Sequence, residues 1–358
     1  MATGAFCLGI IAVVLLTAGD AGRGKEVSAF VARHMPEEIA CVLDHGDLGM
    51  ALERAFLSMD EMLEDTKYSA ELLEYKAAGQ LPAEGDGGGA SESGRGACGG
   101  GRGRGVSGRG RGGGRRGGDL IGGMEEDEAI EMFKKVMAMK RAGAGRGGGS
   151  GRGAFPGAPA SGAAGSEAQM CTLDDHRVQA GCTAVVGLVR GNELVVANAG
   201  DSRAVLSRAG CAIPLSFDHK PSDQAERDRV YAAGGFIREA NGHHRINGNL
   251  NLSRSIGDLK YKQNKRVSPS EQIITAQPDI TRHEVEAEDE FMVIACDGIW
   301  DIMSNQEAID FVRPRLTSGV KPSKIAEEMM DFCICDDPKK VGGLGGDNMT
   351  AVIVQFKR

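Results

Sequence analysis

A run of glycine and arginine divides this chain. Between about Glu84 and Gly165, glycine is interspersed with Arg95, Arg102, Arg104, Arg109, Arg111, Arg115, Arg116, Arg146 and Arg152. Few apolar side chains occur there, so little can offset the entropy of ordering the backbone, and the composition predicts a disordered insert at 84–165. The glycine is concentrated here, which leaves a folded domain with a low-complexity segment inside it. The insert is interrupted near 124–141. Glu125, Glu126, Asp127 and Glu128 precede Lys134, Lys135, Lys140 and Arg141 there, an order that suits a helix dipole and predicts a short helix. Arg102, Arg104, Arg109 and Arg111 are candidates for weak, salt-dependent RNA contact, with a solvated linker as the plainer reading.

Averaged over the whole chain, the composition is that of an ordinary globular protein. Of its 358 residues, 41% are hydrophobic and 26% charged. A net charge of -8 argues against the whole chain being a nucleic-acid binder. The 9 cysteines are odd in number, irregularly spaced and form no C-x-x-C pair, so neither a disulfide framework nor a zinc site is expected. Reduced thiols point to a cytoplasmic or nuclear protein.

Met1 to Gly19 carries no charge, and Leu8–Leu16 is strongly apolar. A secretory signal would need a positive flank, and a membrane span about 20 apolar residues. The β-branched run Ile10–Leu16 predicts a buried strand instead. Two amphipathic patterns follow. Val27, Phe30, Val31 and His34 share one helical face. Leu48, Leu52, Ala55, Phe56, Met59 and Leu63 share another, with Asp60, Glu61, Glu64 and Asp65 expected on the solvent side.

The block from about Gln179 onward is well patterned. Strands are predicted at 183–189, 193–198, 204–207, 291–295 and 350–356, and helices at 222–233, 304–315 and 322–333. Strands in succession followed by helices suggest layered antiparallel sheets with helices outside.

Several aspartates sit near the ends of apolar strands, beside Gly or Asn: Asp201, Asp258 and Asp297, and Asp347 just before the last strand. A carboxylate at a buried strand end is costly unless it is paired or binds a cation. Hard cations such as Mg²⁺ and Mn²⁺ take oxygen ligands, so converging aspartates can form such a site. Singly, each Asp-Gly or Asp-Asn reads first as a turn, and only several together weigh evenly with a cation site.

Longer strings sharpen this reading: Gly200-Asp201-Ser202-Arg203, Asp218-His219-Lys220-Pro221, Leu252-Ser253-Arg254-Ser255-Ile256-Gly257-Asp258, Ala276-Gln277-Pro278-Asp279-Ile280, Cys296-Asp297-Gly298-Ile299-Trp300-Asp301 and Asp347-Asn348-Met349-Thr350. In order and spacing they resemble the motifs of the metal-dependent (type 2C) protein serine/threonine phosphatases, most closely the gamma isoform. The resemblance implies an α+β fold, a two-sheet antiparallel β-sandwich flanked by helices. It implies hydrolysis of phosphoserine and phosphothreonine in phosphoprotein substrates, with water activated by two metal ions, Mg²⁺ or Mn²⁺, and a monomeric chain. On the family pattern Asp297 and Asp347 would be metal ligands, and Asp201 part of a patch for a third, weaker metal. Arg203 and Arg254 would be structural ion-pair partners, and Trp300 core. Residues 1–80 and 170–358 would form the two parts of one phosphatase domain.

The family's first strands, with a Glu-Asp pair and a phosphate-binding Arg, have no counterpart here. The segment Lys25–His34 resembles the helix that follows the family's Asp-Gly-His-Gly-Gly motif. Counting back places Asp20 at the metal-bridging Asp, Ala21 at the carbonyl ligand, and Gly22 where the His general acid would stand. His34, His45, His219, His243 and His244 are read as surface or helix residues rather than substitutes. A catalytically impaired phosphoprotein-binding protein is therefore the alternative expectation. A missing positioned acid typically costs about 10²–10⁴-fold in rate.

Overall fold

The computed structural model describes residues 2–7, 10–18, 24–43, 46–78, 178–240 and 242–356. The insert at 84–165, its expected helix at 124–141 and the RNA candidates Arg102, Arg104, Arg109 and Arg111 lie outside them, as do Asp20, Ala21 and Gly22.

The chain opens with a hairpin, β1 (Ala2–Cys7) and β2 (Ile10–Ala18). Two long helices follow, α1 (Lys25–Leu43) and α2 (Leu48–Glu64), then the shorter α3 (Ser69–Ala78). Beyond the insert come β3 (Gly181–Arg190), β4 (Glu193–Ala199), β5 (Arg203–Arg208) and β6 (Cys211–Pro214). Next are α4 (Gln224–Ala232), the small hairpin β7 (Ile237–Ala240) and β8 (His243–Ile246), and the two-residue β9 (Ile256–Gly257). The last part holds β10 (Asp279–Glu284), β11 (Asp289–Ala295), a helical turn α5 (Asp297–Trp300), α6 (Asn305–Thr317), α7 (Pro322–Cys333) and β12 (Ala351–Gln355).

Two large antiparallel sheets result, beside the two-stranded β7-β8 sheet. One runs β1-β2-β3-β4-β10, with β9 attached to β3; the other runs β12-β11-β5-β6. The Ile10–Ala18 strand is bracketed by β1 on one side and β3 on the other, so the apolar N-terminal run is an interior strand of its sheet. Its partner β1, rich in small residues, was not evident in the sequence.

Strand alternation assigns each side chain to a layer. In β3, Ala184, Val186 and Leu188 join the core beneath α1 and α2, as do Val195, Ala197 and Ala199 of β4. The intervening Val185, Leu194 and Val196 turn inward and meet Ala204, Leu206, Met292 and Ile294 of the second sheet. On that sheet's outer face Val205, Phe291, Val293 and Ala295 pack with residues of α6 and α7. The layers are therefore helix, sheet, sheet, helix, each strand face apolar because both faces are covered. Among the described residues, no helix is long and apolar enough to cross a membrane.

The helices form where expected because their apolar stripes match these faces. Asp47 caps α2 through Met50 N at 2.8 Å, and Ser304 with Glu307 closes a capping box on α6. One polar residue departs from the amphipathic pattern. Asp60 does not face solvent. Its carboxylate accepts the Lys262 ammonium and the Gly257 N–H, the latter at 2.8 Å. Lys262, only 6% exposed, also donates to the Ser255 carbonyl at 2.7 Å. Burial pushes the Asp60 pKa up, and Lys262 opposes it. This pair ties α2 to the segment around β9. Lys262→Met should leave the carboxylate buried without its cation. We expect a loss of about 3–5 kcal/mol in a urea melt, as for other broken buried pairs.

Candidate metal centre

The sheet register brings the strand-end aspartates together. β5 begins at Arg203, opposite Ala295 at the end of β11, and Ala295 also faces Ala351 at the start of β12. Asp201 precedes β5, Asp297 follows β11 and Asp347 precedes β12, so all three leave the second sheet at one end. The first sheet contributes the same end. Ala199 closes β4 there, and Thr183 Oγ1 lies 2.9 Å from Ser202 Oγ.

The turn carrying Asp201 depends on its glycine. Gly200 has φ +129, and a Cβ there would lie 2.5 Å from the Thr183 side chain. The His219 backbone N–H donates to the Gly200 carbonyl at 3.0 Å, and the His219 ring spans from Gly200 to Asp279, with Nε2 3.1 Å from the Asp279 carboxylate. His219 is thus buried, neither a surface nor a helix residue, and works as a brace for the turn. His34 is held against Glu71 at 3.0 Å and packs on Phe30 and Tyr68, and His45 lies outside the described residues.

Asp201 is buried, and its Oδ2 accepts the Lys220 ammonium at 2.7 Å. Arg203 forms a bidentate pair with Asp218 at 2.8 and 2.9 Å, donates to Asn305 at 2.7 Å and stacks on Trp300 with its guanidinium 5.3 Å from the ring centre. The Trp300 indole donates to the Ala295 carbonyl at 2.7 Å. Arg203 and Trp300 therefore serve the frame. Arg254 does likewise, bound to Glu226 at 2.7 Å and Asp279 at 2.6 Å.

Asp297 opens the turn α5. A thiol clasps its loop to that of Asp347: Cys296 Sγ donates to the Asn348 carbonyl at 3.4 Å and accepts the Thr350 N–H at 3.2 Å. Gly298 lets the two loops touch, since a Cβ would stand 2.6 Å from the Asn348 carbonyl oxygen. Burial pushes the Asp297 carboxyl well above the usual carboxylate range. The charges of Asp201 and Asp301 add to this, Lys220 opposes it, and Asp347 adds more. Asp301 was not singled out in the sequence. Its position one helical turn past Asp297 was the available signal.

Does this donor set suit a divalent cation? Asp201 holds the Lys220 ammonium, and Asp297 is destabilised as an anion first by burial and then by Asp201, Asp301 and Asp347. Oxygen-only donors of this kind are those of Mg²⁺ and Mn²⁺. Among the described residues, no group of three or more His, Cys, Asp or Glu side chains is placed to hold a metal ion. Asp20 and Ala21, expected as ligands from the sequence, lie outside the described residues. Asp258 does not join the cluster. It is buried, accepts the Ser255 hydroxyl at 2.7 Å, and fills the space where a Cβ on Gly181 would be.

A family model described as "Protein phosphatase 2C" matches residues 160–339. Among relatives, "Probable protein phosphatase 2C 11" of Oryza sativa subsp. japonica is 54% identical over 178 residues, 50% of this chain and 48% of that protein. "Protein phosphatase 2C homolog 3" of Schizosaccharomyces pombe is 52% identical over 190 residues, 52% of this chain and 44% of that protein. The chain spans about half the length of the curated relatives it matches. A phosphatase from Toxoplasma gondii superposes with a TM-score of 0.57 at 16% identity, covering 99% of this chain and 86% of that one. A sex determining protein of C. elegans gives 0.54 at 18% identity, covering 97% and 57%. At such identities these two structures speak to the fold alone.

Proposed function

Because the chain belongs to the protein phosphatase 2C family, we propose that it hydrolyses phosphoserine and phosphothreonine in proteins, using water activated by Mg²⁺ or Mn²⁺. One observation carries the reading: Asp201, Asp297 and Asp347 leave three strands at one end of a sheet, and Asp297 is destabilised there by burial and by its acidic neighbours.

Asp297 and Asp347 would hold the metal, with Asp20 and the Ala21 carbonyl completing its ligands and Asp201 serving a weaker outer position. When bound, the metal supplies charge that acidifies water and stabilises the phosphoryl group in flight. The chain's own work is positional. Cys296 and Gly298 fix the spacing of the Asp297 and Asp347 loops. The Arg203–Asp218 pair and the Trp300 indole hold the ends of β5 and β11 in register beneath them. His219 braces the Gly200 turn and so aims Asp201. Phosphoprotein substrates would approach over the exposed Asp347 side of the cluster.

The test is hydrolysis of a phosphothreonine peptide by the purified chain, with and without millimolar Mn²⁺, beside Asp297→Ala. We expect Mn²⁺-dependent turnover that falls by about 10²-fold or more in the variant, the scale of losing one positioned electrostatic group. Mn²⁺ binding without turnover in the wild type would replace hydrolysis with phosphoprotein binding.

A further inference from the structure

Lys220 occupies the carboxylate that a cation would need. Its Nζ lies 2.7 Å from Asp201 Oδ2, and the Asp201 side chain is 4% exposed while that of Lys220 is 34% exposed. The acid is therefore sealed and the amine has a way out. The backbone around Lys220 is fixed on both sides. The Ser253 N–H donates to the His219 carbonyl at 3.0 Å, and the Asp223 N–H donates to the Lys220 carbonyl at 3.0 Å. Only the four-carbon stem is left to move. Asp218, the next acid on the same loop, is already held by both edges of the Arg203 guanidinium.

We propose that Lys220 is a resident counter-ion for Asp201, which a divalent cation must displace in order to use that carboxylate. The inference rests on the metal-centre reading above and adds a residue to it. Before metal arrives, the buried Asp201 carboxylate has the Lys220 ammonium as its counter-charge. A divalent cation at Asp201 would stand within a few ångströms of the ammonium, and like charges that close disfavour each other. The lysine then swings to solvent along its exposed side. Lys220 thus makes the outer position weak, while keeping the acidic cluster folded when no metal is present.

Two measurements test this. Mn²⁺ binding to the full chain is followed by the electron paramagnetic resonance signal of free Mn²⁺, for wild type, Lys220→Gln and Lys220→Gln with Asp201→Asn. We expect Lys220→Gln to tighten the weakest class of site by about tenfold, a modest share of a partly exposed charge-charge interaction. Adding Asp201→Asn should abolish that gain. In parallel, wild-type protein is acetylated briefly with acetic anhydride, with and without Mn²⁺, and the lysines are read by mass spectrometry. Labelling of Lys220 should rise with Mn²⁺, while Lys324, exposed and far along the chain, should not change. Unchanged or weaker Mn²⁺ affinity in Lys220→Gln, or Lys220 labelling that stays flat or falls, overturns the counter-ion role and leaves the metal centre standing. If wild type binds no Mn²⁺ at all, both fall together. The labelling arm decides the matter if Lys220→Gln does not fold.

Discussion

Glu226→Ala should destabilise the protein by about 3–5 kcal/mol, because it strips a buried carboxylate from two half-buried guanidiniums. That is a large part of the 5–15 kcal/mol or so that holds a typical domain together. Glu226, on α4, is 4% exposed. It accepts Arg229 at 2.7 Å, Arg254 at 2.7 Å and the Ser253 hydroxyl. The two arginines carry the network onward. Arg229 donates to the Ser253 carbonyl at 2.6 Å, and Arg254 to the Gln277 carbonyl at 3.1 Å and to Asp279 at 2.6 Å. Removing the acid leaves both cations facing each other. The same group makes stability depend on pH. Burial raises its pKa, but Arg254 and Arg229 outweigh burial and bring it down from 4.5 to about 2. A carboxylate whose folded pKa is depressed adds stability that is complete above the unfolded value. That stability drains away as the pH falls toward the folded one. The melting temperature should therefore drop between about pH 4.5 and pH 2, and Glu226→Gln should flatten that part of the curve. A guanidinium titration showing under about 1 kcal/mol of loss for Glu226→Ala, the scale of an exposed pair, would contradict the account.

The second large effect concerns the candidate metal centre and needs only one methyl group. In Gly298→Ala the new Cβ would lie 2.6 Å from the Asn348 carbonyl oxygen. That oxygen belongs to the backbone and cannot swing aside. Either α5 or the Asp347 loop must retreat, and Asp297 and Asp347 separate. Displacements near 1 Å can cost about 10²-fold in a positioned reaction. We expect Mn²⁺ affinity and any Mn²⁺-dependent phosphatase turnover to fall on that scale, with the circular dichroism spectrum unchanged. Wild-type Mn²⁺ affinity in the variant would show that the two loops do not need this contact.

Much of the architecture could be read from the sequence, for local reasons. The strand at Ile10–Ala18 declared itself by an unbroken β-branched run, and the helix at Pro322–Cys333 by its initial proline and apolar stripe. Elements with weak local signals were missed. β1 is built of Ala, Thr, Gly and Cys around one Phe, and β7 and β8 are four residues each. The Asp60 reading failed for a different reason. Periodicity puts a residue on a polar face but cannot say that Lys262, far along the chain, will cover it. The same limit applies at the cluster of strand-end aspartates. Asp201, Asp297 and Asp347 were visible as strand-end acids, whereas the grip of Lys220 on Asp201 and the influence of Asp301 on Asp297 arise only once separate strands share an end.

The pairing of β2 with β3 sets an order of events for a growing polypeptide. Ala18 faces Cys182 and Ile10 faces Arg190, so an interior strand of the sheet has no second neighbour until everything through Arg190 has been synthesised. At the roughly 5–20 residues per second of translation, the N-terminal hairpin waits many seconds with one apolar edge open. Contacts of such high sequence separation also slow closure once both halves exist. While the chain emerges from the ribosome, that strand edge therefore stays open to wrong pairing until the distant half arrives.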